Sequence, residues 1–295
     1  MTNLNQRSSG SSVLDVVVTG AGGFIGRALC RRLQAEGRRI LGLSRGDGDV
    51  TDAGFWASLP SARALIHLAG RSYVPDSWRE PAAFVSANLA GTQHALDWCR
   101  KNAARMIFSS AYVYGIPQQL PIRESDPARP NNPYALSKYL CEQCCEFAHD
   151  FQGTDVTVLR IFNVFGHGQR REFLLPTLIG QLDTHEIRVM DLTPRRDYIY
   201  LPDVVDAFVR SLDAPGGFNR VNIGSGVSHS VSDIVSALQS VAGTSLPVVS
   251  TAEPRHQEIP DVQAEISLAA RILEWKPAFD LAGGIHDLLC GADHE

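Results

Sequence analysis

From residue 13 onward the chain alternates short apolar runs with longer stretches of helical period. The runs VLDVVVTG, RRILGLS, ARALIHLAG, ARMIFSSA and DVTVLRIFN have strand length, and each gives way to a glycine, a serine or a polar turn. Between them, FIGRALCRRLQAEG, PAAFVSANLAGTQHALDWCRKN and PYALSKYLCEQCCEFAHDF set apolar residues three and four apart, which is the spacing of one helix face. Strands and helices in alternation predict an α/β fold built on a doubly wound parallel sheet. Residues 46 to 61 are too few for a full crossover helix, so a loop with one brief helical turn is expected there.

After Asn163 the pattern loosens into shorter elements, with helices expected at SVSDIVSALQSVAG and LAGGIHDLLCG. No repeat and no linker divides the chain. The expected organisation is a first domain over 13–170, to which the chain returns around 196–226, and a smaller C-terminal α/β domain drawn mainly from 171–295. The polar residues 1–12 read as a disordered tail.

Composition narrows the class. With 27 basic and 32 acidic residues intermixed for a net charge of -5, there is no basic stripe for nucleic acid and no polybasic segment for a membrane. No apolar run approaches the ~20 residues of a spanning helix, and none resembles a signal peptide, so a cytoplasmic protein is expected. Six scattered cysteines then read as free thiols. The CxxC within CEQCC, residues 141 to 145, has neither a second CxxC nor a spaced His pair, so it is expected to pack on a helix face and bind no metal.

The chemistry begins at VVVTGAGGFIG, where Gly20, Gly23 and Gly26 follow the first strand and open the first helix. Glycines there let the backbone turn tightly, approach a pyrophosphate and aim helix amides at it, which is the Rossmann dinucleotide arrangement. About twenty residues on, where an acid would bind a ribose 2′-hydroxyl, stand Ser44 and Arg45. A hydroxyl and a guanidinium suit a 2′-phosphate, which favours NADP(H) over NAD(H). The alternative is an idle Arg45 with Asp47 or Asp49 on the ribose.

Downstream, Asn132 and Pro133 open a helix on which Tyr134 and Lys138, four apart, share a face. A lysine ammonium, joined by an oxidised nicotinamide, is expected to pull the phenol pKa down from ~10 toward working pH. Ser110, at the end of IFSS, is expected to hydrogen-bond the same reacting oxygen.

The ordered set TGAGGFIG, HLAG, SSAYVYG, PYALSK, LRIFNVFG, RRDYIYLPDV and NIGSG resembles the extended short-chain dehydrogenases, in the branch of NAD(P)-dependent nucleotide-sugar epimerases and dehydratases. The resemblance implies that Ser110, Tyr134 and Lys138 are the catalytic residues. It adds Phe24, Ile25, Asp49, Val50, Leu68, Ala69, Gly70 and Asn88 to the cofactor site, Asp49 on the adenine side. It implies a nucleotide-sugar site at Ser72, Asn163, Arg196 and Arg255, the arginines toward the diphosphate. For each arginine a surface salt bridge is the competing reading, for Arg196 with Asp197 or Asp203.

Ala111 and Tyr112 stand where the branch's 4,6-dehydratases carry an Asp-Glu pair, so dehydration is not expected. An epimerase retaining NAD and a 4-keto reductase consuming NADPH remain, and Arg45 points to the reductase. AGRSYVPDSWREP, NNPYA and FNVFGHGQ are most similar to reductases of GDP-4-keto-6-deoxymannose, although His167 replaces a proline, and a dTDP-sugar would meet the same residues. The intact Ser110, Tyr134 and Lys138 argue against a non-catalytic, cofactor-sensing protein. Many relatives dimerise through a four-helix bundle, for which Val85, Leu89, Leu96, Leu140, Cys144 and Phe147 offer a face.

Overall fold

The computed structural model describes residues 13–252 and 258–291. The N-terminal segment 1–12, read above as a tail, and Arg255 lie outside the described residues. Elements follow in the order β1 (Leu14–Thr19), α1 (Phe24–Ala35), β2 (Ile40–Leu43), α2 (Ala53–Ala57), β3 (Ala62–His67), α3 (Val74–Arg79), α4 (Pro81–Asn102), β4 (Arg105–Ala111), α5 (Pro133–Gln152) and β5 (Val156–Ile161). Then come β6 (Asn163–Phe165), α6 (Leu174–Ile179), β7 (Ile187–Val189), β8 (Arg195–Tyr200), α7 (Leu201–Ser211), β9 (Phe218–Ile223), β10 (Ser228–Ser230), α8 (Val231–Ala242), β11 (Val248–Ser250), α9 (Ser267–Ile272) and α10 (Leu281–Cys290).

Six strands form a parallel sheet in the order β2-β1-β3-β4-β5-β9. The chain passes from β1 outward to β2, then crosses back to β3 on the other side, so the winding reverses at β1. A ligand crevice opens at such a reversal, beyond the carboxyl ends of the strands. Thr19 lies opposite both Leu43 and His67, and His67 opposite Phe108, so the loops leaving β1, β2, β3 and β4 emerge level with one another. The short 46–61 connection contains α2, a single short helix capped by Asp52, whose side chain accepts from Gly54 N.

Alternating side chains bury opposite faces of the sheet. Val16, Val18, Ile66, Ile107 and Leu159 pack beneath α1 and α7, whereas Val17, Leu65, Met106 and Phe108 pack beneath α4 and α5. Beyond the sheet's carboxyl ends a second layer joins the small sheets β10-β8-β6 and β11-β7 to α6, α8 and α10 around Phe165, Leu178, Tyr200, Ile234 and Ile285. Cys141 and Cys145 are buried against the sheet and Cys144 is half-buried; all six cysteines are free thiols. Among the described residues no cluster of His, Cys, Asp or Glu could hold a metal ion, and no helix is long and apolar enough to cross a membrane.

Candidate active site

The loop after β1 is closed so tightly that only glycine fits. A Cβ on Gly26 would lie 2.1 Å from the Gly20 carbonyl, and one on Gly20, whose φ is +75°, would lie 2.8 Å from Ala69 N on the neighbouring loop. Helix α1 begins at once behind it, with no side chain capping its first amides. Arg27 draws the Gly22 carbonyl to its guanidinium at 2.7 Å. A bare cradle of backbone at a helix N-terminus, set at the winding reversal, fits the pyrophosphate of a dinucleotide. Gly20, Gly23, Phe24, Ile25 and Gly26 form this cradle, and Leu68, Ala69 and Gly70 form its neighbour.

The tip of β2 is arranged differently from what its composition suggests. Ser44 donates both its amide and its hydroxyl to Asp47 Oδ2, at 2.7 and 2.8 Å, and those bonds hold the Asp47 carboxyl below the usual range. Ser44 is therefore engaged within its own loop. Arg45 is exposed and makes no hydrogen bond or ion pair among the described residues. Asp49 accepts from Thr51 N at 2.9 Å, and Trp56 Nε1 donates to the Val50 carbonyl at 2.7 Å, which fixes the turn below the tip.

At the end of β3, Thr19 Oγ1 meets His67 Nδ1 at 2.8 Å. Burial, with Lys138 nearby, pushes the His67 pKa down to about 3, so this imidazole stays neutral and serves as a fixed hydrogen-bonding partner. Asn88 is buried and points its amide back to the same loop. Its Oδ1 accepts from Arg71 N at 2.7 Å, and its Nδ2 donates to the Arg71 carbonyl at 3.0 Å and to Ser137 Oγ at 2.8 Å. Every one of those contacts is structural, so Asn88 braces the Gly70–Arg71 turn against α5. Ser72 follows the turn in an exposed position.

Helix α5 starts where its sequence requires, with Asn132 Oδ1 accepting from Ala135 N at 2.9 Å and Pro133 in the first turn. Lys138 lies one turn beyond Tyr134, donates Nζ to the Ser109 carbonyl at 2.8 Å and sits 4.8 Å from the centre of the Phe108 ring. Burial pushes the Tyr134 phenol up to about 12 and the Lys138 ammonium down. The expected lowering joins the Lys138 charge to that of an oxidised nicotinamide and so concerns the cofactor-bound site; in the protein by itself, burial of the phenol acts in the opposite direction.

Ser110 is buried, and its hydroxyl donates to Glu142 Oε1 at 2.5 Å. Glu142 in turn is clamped by Arg160. Beside them, Ala111 is a methyl, and Tyr112 donates its hydroxyl to the Gly115 carbonyl at 2.6 Å while its ring packs edge-on to Tyr114 and Phe162. Neither is a carboxylate, and the Tyr112 hydroxyl is committed to the backbone.

Asn163, exposed at the start of β6, lies in register with Tyr198 of β8, two residues past Arg196. Arg196 forms neither expected salt bridge. Its guanidinium donates to the carbonyls of Arg195 at 2.7 Å and Ile259 at 2.6 Å and pairs with Glu258. Asp197 instead accepts from Ser225, Gly226 and Ala264, and Asp203 from Ala278 and Phe279. Two residues of the site escaped the sequence reading, Glu142 and Arg160. The signals were there: Tyr134, Lys138 and Glu142 repeat every four residues on one helix, and Arg160 is a lone charge inside an apolar strand, where it must have a partner.

The crevice, the glycine cradle and the Ser-Tyr-Lys set at the β4–α5 junction define an NAD(P)-dependent enzyme of the extended short-chain dehydrogenase type. Residues 16–224 match the model of the NAD dependent epimerase/dehydratase family, and the chain belongs to that family of nucleotide-sugar epimerases, reductases and dehydratases. It is 30% identical to a GDP-6-deoxy-D-mannose reductase of Pseudomonas aeruginosa, over 92% of this chain and 95% of that one. The solved structure of RMD from Pseudomonas aeruginosa complexed with NADPH superposes with a TM-score of 0.85 at 28% identity, covering 94% of this chain and 98% of that one. A UDP-glucose 4-epimerase with UDP-glucose, from Thermotoga maritima, superposes at 0.86 with 25% identity, covering 94% and 97%.

Proposed function

We propose that the protein is an NADPH-dependent reductase of a nucleotide-linked 4-keto-6-deoxyhexose, with GDP or dTDP as the nucleotide. Arg45 carries this reading, an exposed guanidinium without a partner among the described residues, at the β2 tip where an enzyme that retains NAD would place an acid. The comparisons add support, since a GDP-6-deoxy-D-mannose reductase of Pseudomonas aeruginosa is a relative and the similar structure from the same organism is complexed with NADPH. Bound at the glycine cradle, NADPH supplies the hydride for C4. Tyr134 donates its proton to O4, and Lys138, fixed on the Ser109 carbonyl, brings positive charge near the phenolate left behind. A phenol held near 12 in the free protein is fully protonated at working pH and ready to donate. Asn163, Arg196 and Arg255 hold the nucleotide-sugar, and for Arg196 this requires the diphosphate to compete with Glu258.

A second reading rests on Asp47. Its carboxylate is held beside Ser44 at the β2 tip, and an acid on the ribose there suits an epimerase with retained NAD. Cofactor titration followed by nicotinamide fluorescence separates the two. The reductase reading expects NADPH to bind more tightly than NADH, and Arg45→Ala to weaken NADPH about 10-fold or more while leaving NADH unchanged, the worth of charge-assisted bonds to a phosphate. NADPH binding no more tightly than NADH assigns the tip to Asp47 and favours the epimerase.

The protein acts as a homodimer through α4 and α5. Leu89, Leu140, Cys144, Phe147 and Phe151 line an open groove along these helices, and the Phe147 and Phe151 rings are 54% and 74% exposed with centroids 4.9 Å apart. Leu96 is mostly buried against the protein's own core. Changing Phe147 and Phe151 together to Glu is expected to give monomers by sedimentation velocity, and a wild type that sediments as a monomer rejects the arrangement.

A further inference from the structure

Glu142 is fully buried in the middle of α5 and receives more donors than an ordinary ion pair. Its Oε2 takes Arg160 Nη2 at 2.6 Å and Nε at 3.1 Å and lies 3.3 Å from Arg220 Nε. Its Oε1 takes Arg160 Nε at 3.0 Å and the Ser110 hydroxyl at 2.5 Å. Arg160 is itself only 2% exposed, so the carboxylate and the guanidinium are each other's charge partner in a dry site. A carboxylate in that setting has only lone pairs to offer.

The consequence falls on Ser110. A hydroxyl owns one proton and two lone pairs. With the proton committed to Glu142, only the lone pairs are left for whatever enters from the cleft. We infer that Glu142 is a positioning residue which fixes Ser110 as a hydrogen-bond acceptor at the C4 oxygen, leaving Tyr134 as the donor there; the identity of that oxygen rests on the proposed reaction at C4. Ser110 then does nothing for a C4 ketone, which is itself an acceptor, and binds a C4 alcohol, which is a donor. The serine is a device for telling the reduced sugar from the oxidised one.

Glu142→Gln inverts this polarity without changing side-chain size. Arg160 Nη2 and Arg220 Nε contact Oε2 alone and demand an acceptor, so the amide oxygen takes that position and the amide nitrogen turns to Ser110, giving up the shared Arg160 Nε contact at Oε1. Ser110 must now accept from the protein and donate into the cleft. The test measures KM and kcat in both directions, with the 4-keto sugar and with its alcohol, for wild type, Ser110→Ala, Glu142→Gln and the double variant. GDP-4-keto-6-deoxymannose with its alcohol and UDP-glucose with its 4-keto form both serve, because each pair presents the same two oxygens.

Ser110→Ala is expected to raise KM for the alcohol about 3- to 10-fold, the range of one neutral hydrogen bond, and leave KM for the ketone unchanged. Glu142→Gln is expected to weaken the alcohol similarly while improving the ketone, and the double variant is expected to match Ser110→Ala alone. Equal effects on alcohol and ketone, as a packing defect would give, overturn the inference, and so do additive effects in the double variant. If Glu142→Gln does not fold, the alcohol-to-ketone split in Ser110→Ala decides by itself. A wild type that turns over only the UDP-glucose pair defeats the reductase reading and leaves this test in force.

Discussion

Tyr134→Phe is expected to lower kcat by ~10²–10⁴-fold, the usual contribution of one positioned acid or base, while NADPH binds within about twofold of wild type. The ring is retained and only the hydroxyl is lost, so packing at the start of α5 is preserved and Asn132 still caps it. The pH profile carries a second expectation. In the free protein the phenol titrates at about 12, so the acid form is available across the working range and reduction should not fail as pH rises through neutrality. Oxidation of the alcohol in the reverse direction needs the phenolate and should quicken with pH. Unchanged turnover in Tyr134→Phe removes this residue from the chemistry, and with it the argument against a cofactor-sensing protein.

Much of the frame was legible because its causes are local. Period-two and period-3.6 patterning placed the first five strands and the three long helices. For α4 and α5 the proline at the first turn marked the start. The glycine cradle was legible for a similar reason, since backbone approach of this kind tolerates no Cβ and the sequence records that directly. Short elements of the second layer, such as β6 at three residues, leave too little pattern to read.

The site was less legible where a side chain has a choice of partner. Ser44, whose hydroxyl suits a phosphate by residue type, donates to Asp47, three residues away, because an Asp in a tight turn reaches the nearest amide and hydroxyl. Arg196, placed by spacing between a diphosphate and the acids Asp197 and Asp203, closes on the adjacent Arg195 carbonyl and on the Ile259 carbonyl and Glu258, 63 and 62 residues away. Ser110 donates to Glu142, 32 residues further along the chain. For Arg196 and Ser110 the partner is set by tertiary approach, which spacing does not encode; for Ser44 it is set within one turn.

Arg160→Met is expected to destabilise the protein by ~3–5 kcal/mol at neutral pH, the cost of leaving one member of a buried ion pair without its partner. The loss is greater than the packing of the side chain suggests, because Glu142 keeps only Arg220, which is itself partly exposed and shared with Glu146. The defect is read by urea unfolding at neutral pH. Arg160→Met with Glu142→Met should recover most of the loss, since two apolar chains of similar volume replace both charges at once. Catalytic behaviour is expected to separate from stability at this point: the double variant folds, yet its Ser110 hydroxyl no longer has a carboxylate to donate to, and the alcohol loses the acceptor that the buried pair held in place.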